Sequence, residues 1–586
     1  SHYYFMMRLL KSAYLVVLLS LFSFFYVCAQ DKTAPVEAEK LIGIHLHRYT
    51  SDALLEELAL QLPQLAQKGI NLIFLRVNYN FDFQSYPELR DGPTYITLDG
   101  ARQFSTACEK AGIRLVPVFK VLSHQSWGNK TSPLLIKYPE LDITPGEFPN
   151  NEGIYCREWD PTNPRVNEIV FPLLDEIVDA FRADALHIGM DEVFLLGSEK
   201  SPTTHGKDPA ALFAKVVTEF HDYFVKKRGL EMFMWGDRLI DGEKYKYGMW
   251  ETSQNGTAPA IDMISRDIII CDWHYKPMPS YPTVDMFLEK GFRVLPSSKK
   301  NEEAIESLIK HSFKLNHPRM LGHLFTTFRS TWDTLKTYPP LLKGMEVINS
   351  QKFYDVSLDL KIEEGQERVP KVVLWVNHPN AVIRYTTNGS QPGLQSPEYS
   401  APIVVKKSME VKALAFSENK PIGEISERKF INHKGLGSKI TILSKTHRES
   451  QYLDKEKNLV DGKLGINLMA DGQWVGFGGA SMQVALDLGK KQSISTVSIN
   501  FSTHSGNWAS SPGRMEIYGS LDGNSFELLA DQAAGPEIGE MDILSASFEP
   551  FDVQFVKIIV YPQLIPEGQE GGGNMGFLFI GELIVD

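Results

Sequence analysis

The chain has 586 residues, of which 43% are hydrophobic and 23% charged, and its formal net charge is −12. At about 100–200 residues per domain, this length predicts several domains and at least one large core. The negative charge argues against nucleic acid or an anionic membrane surface as the main partner, since both require a basic face.

Residues 1–29 have the layout of a secretory signal peptide. Arg8 and Lys11 form a basic start, AYLVVLLSLFSFFYV supplies an apolar centre, and Ala29 is a small residue at the expected cleavage site. The apolar run is short for a transmembrane helix, so a retained anchor is the second interpretation, and lipidation at Cys28 is a third. We expect a secreted, periplasmic or cell-surface protein with no integral membrane span in its mature form.

The cysteines do not form a recognisable framework. Beyond the leader they are Cys108, Cys156 and Cys271, with no CxxC or Cys/His spacing typical of zinc. We expect buried free thiols.

Residues 38–348 alternate between strand-like and helical patterns. Eight apolar runs are typical of strands: LIGIHLH, NLIFLRVNY, RLVPVFKVL, ALHIGM, EMFMWG, DIIICDWHY, FRVLPSS and MLGHLFTTF. With helical stretches in most intervals, they predict the α/β class and a (β/α)₈ TIM-type barrel. The competing fold is a doubly wound open sheet, but no glycine-rich phosphate loop follows the first run. The first helix is predicted to run from an N-cap at Ser51 to a C-cap at Gly69.

The remaining chain is predicted to be all β. Short alternating runs between turn signals indicate a small sandwich over residues 352–433 and a larger one over residues 437–586, joined by the glycine-rich HKGLGS. In the larger one Trp474, Phe477 and Trp508 lie near loops, where they either stack on a sugar or belong to the core. It either binds carbohydrate or only braces the barrel, and no dense Asp/Asn run indicates calcium.

Two adjacent acids, Asp191 and Glu192, follow the fourth strand-like run. Functional residues of such barrels lie at the C-terminal ends of the strands. Neighbours on a strand point to opposite faces, so the two acids share one pocket only if the chain bends, and Gly189 makes that bend easier. The alternative is that the acids cap the next helix.

Histidines, aromatic residues and acids collect at the same rim. They are His45 and His47 in the first run, His124 and Trp127 after the third, Trp235 and Asp237 after the fifth, and Asp272, Trp273, His274 and Tyr275 after the sixth. Aromatic walls with a few polar groups suit a sugar, whose apolar face stacks while its hydroxyls form hydrogen bonds. His45 and His47 face one side and are also conceivable metal ligands, but a third ligand is not evident.

The segment DPTNPRVNEIVFPLLDEIVDAFRADALHIGMDEV resembles the signature region of glycoside hydrolase family 20, the β-N-acetylhexosaminidases. The family's His-Ile-Gly-x-Asp-Glu run is matched by residues 187–192, and Pro117 and His124 match its upstream stretch. The resemblance spans roughly Leu41 to Val347. Residues 352–433 resemble the chitobiase-type C-terminal domain, and residues 437–586 resemble discoidin-type (coagulation factor type C) domains, which often bind carbohydrate.

The resemblance implies substrate-assisted, retaining hydrolysis of a terminal β-linked N-acetylhexosamine, without a metal or cofactor. Glu192 would be general acid and then base, while Asp191 would orient the acetamido N–H and stabilise the developing positive charge. The candidate substrate-binding residues are His45, His47, His124, His187, Trp235, Asp237, Trp273, Tyr275 and Trp332.

The chain departs from the family at three places. The first strand carries His45 and His47 where the family has a sugar-binding Arg, although Arg48 follows them. No Tyr lies near the seventh strand, so Tyr275 is the candidate for the acetamido-binding Tyr. Trp332 and Asp333 are displaced from the usual end of the last strand.

Two other functions stay open at this point. The chain is either a non-catalytic glycan-binding protein on a hexosaminidase-like barrel, or a glycosidase that uses two separated carboxylates, such as Glu192 and Asp237.

Overall fold

The computed structural model describes residues 39–328, 331–363, 369–479, 481–503, 508–534, 541–568 and 571–586. The chain divides into Ser1–Lys40, of which only Glu39 and Lys40 are described, and Leu41–Asp586, which contains every helix and strand given below. The predicted signal peptide lies outside the described residues. Within the described ranges, no helix combines the length and apolar character needed to cross a bilayer.

A parallel sheet forms the N-terminal half. Its strands are β1 (Leu41–Leu46), β2 (Leu72–Arg76), β3 (Arg114–Val121), β4 (Ala185–Gly189), β5 (Glu231–Trp235), β6 (Ile269–Cys271), β7 in two segments (Arg293–Val294 and Ser297–Ser298) and β8 (Gly322–Thr326). Each strand lies in one of the eight predicted runs. The first segment of β7 pairs with β6, the second pairs with β8, and β8 pairs with β1. The pairing therefore returns to its start, as in a TIM-type barrel.

Helices lie in the intervals between these strands. The longer ones are Asp52–Ala59, Leu62–Gln67, Leu98–Ala111, Arg165–Phe181, Pro209–Phe220, Pro282–Glu289, Glu302–Lys314 and Pro339–Ser350, with a π-helical turn at His221–Lys227. Short α-helices are Pro133–Lys137, Gly242–Tyr245 and Trp332–Leu335, and 3₁₀ turns are Pro87–Leu89, Pro139–Leu141, Pro149–Asn151, Asp237–Leu239 and Ala258–Asp262. A two-strand ribbon joins Ser126–Trp127 to Lys130–Thr131.

The first predicted helix is in fact two helices. It begins after Ser51 as predicted, although that side chain makes no capping hydrogen bond, and it ends at Ala59. A second helix, Leu62–Gln67, follows and has its C-cap at Lys68 rather than Gly69. The break arises from Pro63, which has no N–H to donate and whose ring clashes with the carbonyl of Ala59 four residues earlier.

The alternation of side chains along each strand places charged residues at the mouth of the barrel. In β2, Ile73 and Leu75 pack in the large apolar cluster under the helices, whereas Leu72 and Phe74 pack inside the barrel. Val116 and Val118 of β3 belong to the same inner cluster. The next inward positions toward the C-terminal ends are Arg76 and Lys120, because the side-chain period of a strand is two.

The C-terminal half consists of antiparallel sheets. Strands Ser357–Glu363, Val369–Trp375 and Ile403–Val404 form one sheet, and Val382–Thr386, Met409–Ser417, Lys420–Pro421 and Ser426–Phe430 form a second, over a shared apolar cluster. A seven-stranded sheet follows, with strands Lys439–Ile442, Val475–Phe477, Met482–Ser502, Pro512–Ser520, Glu527–Ala533, Met541–Pro562 and Leu578–Val585. Its two longest strands, Met482–Ser502 and Met541–Pro562, pair along nearly their whole length. In the described residues this region is therefore one continuous sheet around one apolar cluster.

The exposure of the three aromatic candidates in this region shows which of them belong to the core and which can contact a ligand. Trp474 and Phe477 are buried, and the indole N–H of Trp474 donates to the Ile466 carbonyl at 2.9 Å. Both belong to the packed interior. Trp508 is 37% exposed and remains available to a ligand. Cys108, Cys156 and Cys271 are free and buried, as predicted.

Close packing between the last barrel helix and β8 predicts a stability effect at Gly344. A Cβ there would lie 2.4 Å from Cε1 of Phe325. We expect Gly344→Val to destabilise the barrel by about 1–3 kcal/mol through overpacking and to lower the midpoint of thermal unfolding. The matched control is Gly393→Val, where a Cβ meets nothing within 4 Å. Equal midpoints for the two variants would contradict the packing described.

Candidate active site

The chain turns sharply where β4 ends. Gly189, Met190 and Glu192 have φ angles of 72°, 68° and 52°. Holding a non-glycine residue in this region costs about 1–3 kcal/mol, so the surrounding contacts must maintain the bend. At Gly189 a Cβ would lie 3.1 Å from Cδ of Lys120. The glycine therefore lets Lys120 approach the residues that follow β4.

The bend directs the two acids toward one imidazole. Nε2 of His124 lies 3.1 Å from Oδ2 of Asp191 and 3.3 Å from Oε2 of Glu192. The Asp191 and Glu192 side chains are 13% and 15% exposed. Both carboxylates therefore face one space and reach solvent. The next long helix, Pro209–Phe220, is capped by Asp208 and not by this pair.

Lys120 is the main partner of Asp191. Its ammonium lies 2.7 Å from each carboxylate oxygen, and the Lys120 side chain is 12% exposed. Ser123 Oγ donates to the Asp191 carbonyl at 2.6 Å. A carboxylate has about four acceptor positions, and Lys120 and His124 occupy three. One position on Oδ1 remains for a further donor.

The surroundings set the charges of these groups. Burial raises the pKa of Asp191, but the Lys120 ammonium and His124 outweigh burial and hold that pKa well below its usual value. Burial lowers the pKa of His124, and the Asp191 charge together with hydrogen bonds to both acids raises it above its usual value. The site therefore holds Asp191 as an anion, and His124 Nε2–H donates toward both carboxylates.

Asp237 supports the bend from β5. Its Oδ2 accepts the Glu192 backbone N–H at 2.9 Å and Arg238 Nε–H at 2.7 Å, and its Oδ1 accepts the indole N–H of Trp273 at 3.2 Å. Burial raises the pKa of the Asp237 carboxyl to about 6, against the opposing charge of Arg238. Asp237 is 1% exposed, so it positions the backbone of Glu192 and does not face a substrate.

Three of the predicted binding residues lie inside the barrel. His45, His187 and Trp235 are buried, with their rings 4.8–6.4 Å apart between centroids. Within the described residues, His45 Nε2, His187 Nε2 and Trp235 Nε1 have no hydrogen-bond partner. Burial lowers the pKa of His187 to about 3. These rings form a neutral, polar floor below the acids.

Predicted residues nearer the mouth are less deeply enclosed. His47 packs against Phe328, with ring centroids 4.9 Å apart, and its Nε2 lies 3.3 Å from His45 Nδ1. The Tyr275 ring lies 4.8 Å from that of Trp273, and burial followed by the nearby acid charges raises the Tyr275 pKa. The side chain of Trp332 lies outside the described side chains.

An exposed aromatic group flanks the acids. The Tyr155 ring lies 5.8 Å from His124, 6.3 Å from Trp127 and 4.8 Å from Trp250. Tyr155, Trp127 and Trp250 are 39%, 63% and 41% exposed. Large exposed aromatic faces beside a polar centre suit stacking against a sugar ring.

One protein-family model matches most of the barrel. Residues 38–301 match the model described as "Glycosyl hydrolase family 20, catalytic domain". The matched segment contains both acids, Lys120, His124 and Asp237, so the geometry above lies within the part of the chain that is similar to this model. Residues 372–430 match the model described as "Fn3 associated". The comparison with curated protein sequences finds no match.

Solved structures similar to the chain include a Flavobacterium johnsoniae chitobiase, 18% identical with a TM-score of 0.39, over 52% of this chain and 47% of that one. A Vibrio harveyi exo-β-N-acetylglucosaminidase in complex with N-acetylglucosamine is 17% identical with a TM-score of 0.39, over 53% and 54%. The Clostridium perfringens protein CpGH89CBM32-5, in complex with GalNAc-β-1,3-galactose, is 19% identical with a TM-score of 0.20, over 26% and 99%. The chain thus spans about half the length of the first two.

Sequence patterns missed three parts of the site. Lys120 is a charged residue near the end of β3, at an inward position that follows the apolar inward residues Val116 and Val118. This pattern could have identified it as a site residue. Arg238 directly follows Asp237, but its pairing with that neighbour depends on the local turn. Tyr155 lies in a loop after β3 and carried no local signal.

Removing Lys120 tests the charge balance of the site. Lys120→Met leaves a mostly buried carboxylate without its ammonium, which costs about 3–5 kcal/mol at neutral pH. The control Lys130→Met breaks an ion pair whose lysine is 66% exposed, where a loss of about 0–1 kcal/mol is expected. Urea unfolding of both variants measures the difference, and equal losses would contradict the assigned role.

The difference in stability between the wild type and Lys120→Met should depend on pH. Because the folded-state pKa of Asp191 is depressed, its stabilisation is complete above the ordinary aspartate pKa and is lost as pH falls through the folded-state value. Without Lys120 that pKa rises, so the variant carboxyl takes up a proton at higher pH. The stability gap between wild type and Lys120→Met should therefore narrow as pH falls from neutral into the acid range. A gap that widens on acidification would contradict this.

Proposed function

We propose that the family 20 domain is a β-N-acetylhexosaminidase that removes terminal β-linked N-acetylhexosamine by substrate-assisted, retaining catalysis. The observation that carries the proposal is the convergence of Asp191 and Glu192 on His124, at 3.1 and 3.3 Å. Adjacent residues would otherwise point apart.

The two acids have different partners, which supports different roles. Asp191 is held as an anion by Lys120 and His124, with one acceptor position left on Oδ1. An acetamido N–H can donate to that position, and the fixed negative charge stabilises the positive charge that develops as the acetamido oxygen attacks C1. Glu192 supplies the proton to the leaving oxygen and later removes one from water.

The neighbouring side chains support a sugar-sized ligand. Tyr155, Trp127 and Trp250 offer exposed faces next to the acids. Tyr275 is close enough for its pKa to respond to both acids, so we propose it as the hydroxyl that contacts the acetamido group. His47 and Trp332 remain candidates for the sugar hydroxyls.

The alternative of two separated carboxylates has less support. Asp237 would be the second acid, but it is 1% exposed and its oxygens accept from Arg238, Trp273 and the Glu192 amide. It has no free path to a water molecule at the sugar. The acetamido group itself is therefore the better candidate for the nucleophile.

The flanking regions extend the proposal. We propose that residues 352–433 form a chitobiase-type domain and residues 437–586 a discoidin-like domain that binds carbohydrate, which the exposure of Trp508 supports. The basic and apolar pattern of residues 1–29 supports export to the outside of the cell or to the periplasm.

Replacing the proton donor tests the proposed role of Glu192. Glu192→Gln keeps the shape but cannot donate a carboxylic proton, so kcat on nitrophenyl β-N-acetylhexosaminides should fall by about 10²–10⁴-fold. Glu199→Gln, an exposed position in the same loop, is the matched control and should retain wild-type kcat. Unchanged turnover in Glu192→Gln would refute the assignment.

Substrate assistance makes a second prediction. Aryl β-glycosides with a 2-hydroxyl in place of the 2-acetamido group should not be hydrolysed. The N-acetyl-β-glucosaminide and the N-acetyl-β-galactosaminide with the same leaving group should be hydrolysed. Release of nitrophenol measures both. Comparable rates on the two kinds of substrate would favour two separated carboxylates. Glycan binding without turnover of either N-acetylhexosaminide would favour a binding protein.

A further inference from the structure

A large groove lies between the barrel mouth and the seven-stranded sheet. Its volume is about 950 Å³, near the upper end of the about 300–1,000 Å³ typical of small-molecule sites. The barrel contributes Lys246, Tyr247, Glu251 and residues 275–278 and 299–303, and the other wall contains His447, Arg448, Tyr452, Met469, Trp508 and Phe577. The groove is therefore assembled from two domains.

One end of the groove lies close to the catalytic acids. Tyr275 lines the groove, and its ring lies 4.8 Å from that of Trp273. Trp273 donates to Asp237, which accepts the Glu192 backbone N–H. Trp250, beside Tyr155, directly precedes the groove residue Glu251. Tyr275 therefore belongs both to the groove and to a series of contacts that reaches Glu192.

The groove is more cationic than the protein as a whole. Five basic side chains line it, Lys246, Lys276, Lys299, Lys300 and Arg448, against the three acids Glu251, Glu302 and Glu303. Two of the acids have partners: Glu251 contacts His274 Nδ1 at 2.8 Å, and Glu303 accepts the Met469 N–H at 2.9 Å. In a chain of net charge −12, this local excess of positive charge favours an anionic ligand.

The wall opposite the barrel carries aromatic faces. The rings of Trp508 and Phe577 are nearly parallel, at 18° and 6.2 Å between centroids, and His447 lies 4.6 Å from Phe577. On the barrel side, Lys299 lies over the Tyr275 ring at 5.6 Å. Aromatic faces and cations side by side in one groove suit a ligand that combines sugar rings with negative charges.

We propose that this groove binds the part of the glycan that leads away from the cleaved sugar, and that this part carries sulfate or carboxylate groups. The proposal rests on the function proposed above for the acids. The sugar faces stack on Trp508 and Phe577, and the anionic substituents contact Lys300, Arg448 and their basic neighbours. Salt therefore weakens binding of the acidic chain more than binding of a neutral one.

Calorimetric titration of the full-length Glu192→Gln protein tests this groove. The probes are sulfated chondroitin oligosaccharides, their desulfated counterparts and a neutral N-acetylglucosamine oligomer of equal length. Adding Lys300→Glu and Arg448→Glu should weaken binding of the acidic oligosaccharides at least tenfold. The control pair, Lys406→Glu and Lys407→Glu, reverses two exposed charges outside the groove and should leave affinity unchanged. Equal thermal midpoints show that both double variants are folded.

The outcomes separate the two proposals. Loss of affinity on desulfation identifies sulfate as the recognised group, and retained affinity identifies carboxylate. Equal binding of neutral and acidic oligosaccharides, or no effect of the groove charges, overturns the groove proposal even if wild-type protein hydrolyses nitrophenyl N-acetylhexosaminides. Absence of that hydrolysis, together with charge-dependent oligosaccharide binding, overturns the proposed function and leaves the groove as an acidic-glycan site.

Discussion

The contact between the Lys120 ammonium and the Asp191 carboxylate is the interaction on which the site depends. An ionised carboxylate in a mostly buried position is costly unless a charge of opposite sign meets it closely, and here both oxygens are 2.7 Å from the ammonium. The bend after β4 has residues with positive φ, and this contact helps to hold them. Gly189 permits the contact because it leaves room beside Lys120.

The surroundings of the two acids differ. Asp191 is held as an anion, whereas Glu192 lies beside solvent and aromatic side chains. Lys120 binds Asp191, Asp237 holds the backbone of Glu192, and Arg238 in turn anchors Asp237. The two carboxylates are therefore held by neighbouring residues, of which Asp237 and Arg238 are almost fully buried. This arrangement is the usual solution for precise geometry, because fixed supporting groups need no reorganisation when charge develops.

The C-terminal half forms one wall of the groove beside the barrel. Its seven-stranded sheet brings Trp508 and Arg448 against barrel loops that carry Tyr275 and Lys300. Under the function proposed above, this groove senses the length and charge of the glycan, while the two acids lie at the end of β4.

The sequence alone determined the positions of the barrel strands and the adjacency of Asp191 and Glu192, because periodicity and adjacency are local properties of the chain. The helix break at Pro63 is local as well, and the prediction of a single helix overlooked it. Tertiary structure decided that Lys120 and His124 meet the acids, that Asp237 and Trp235 are buried, and that Trp508 faces a groove. These contacts join segments far apart in the chain, and only closure of the barrel and docking of the last sheet bring them together.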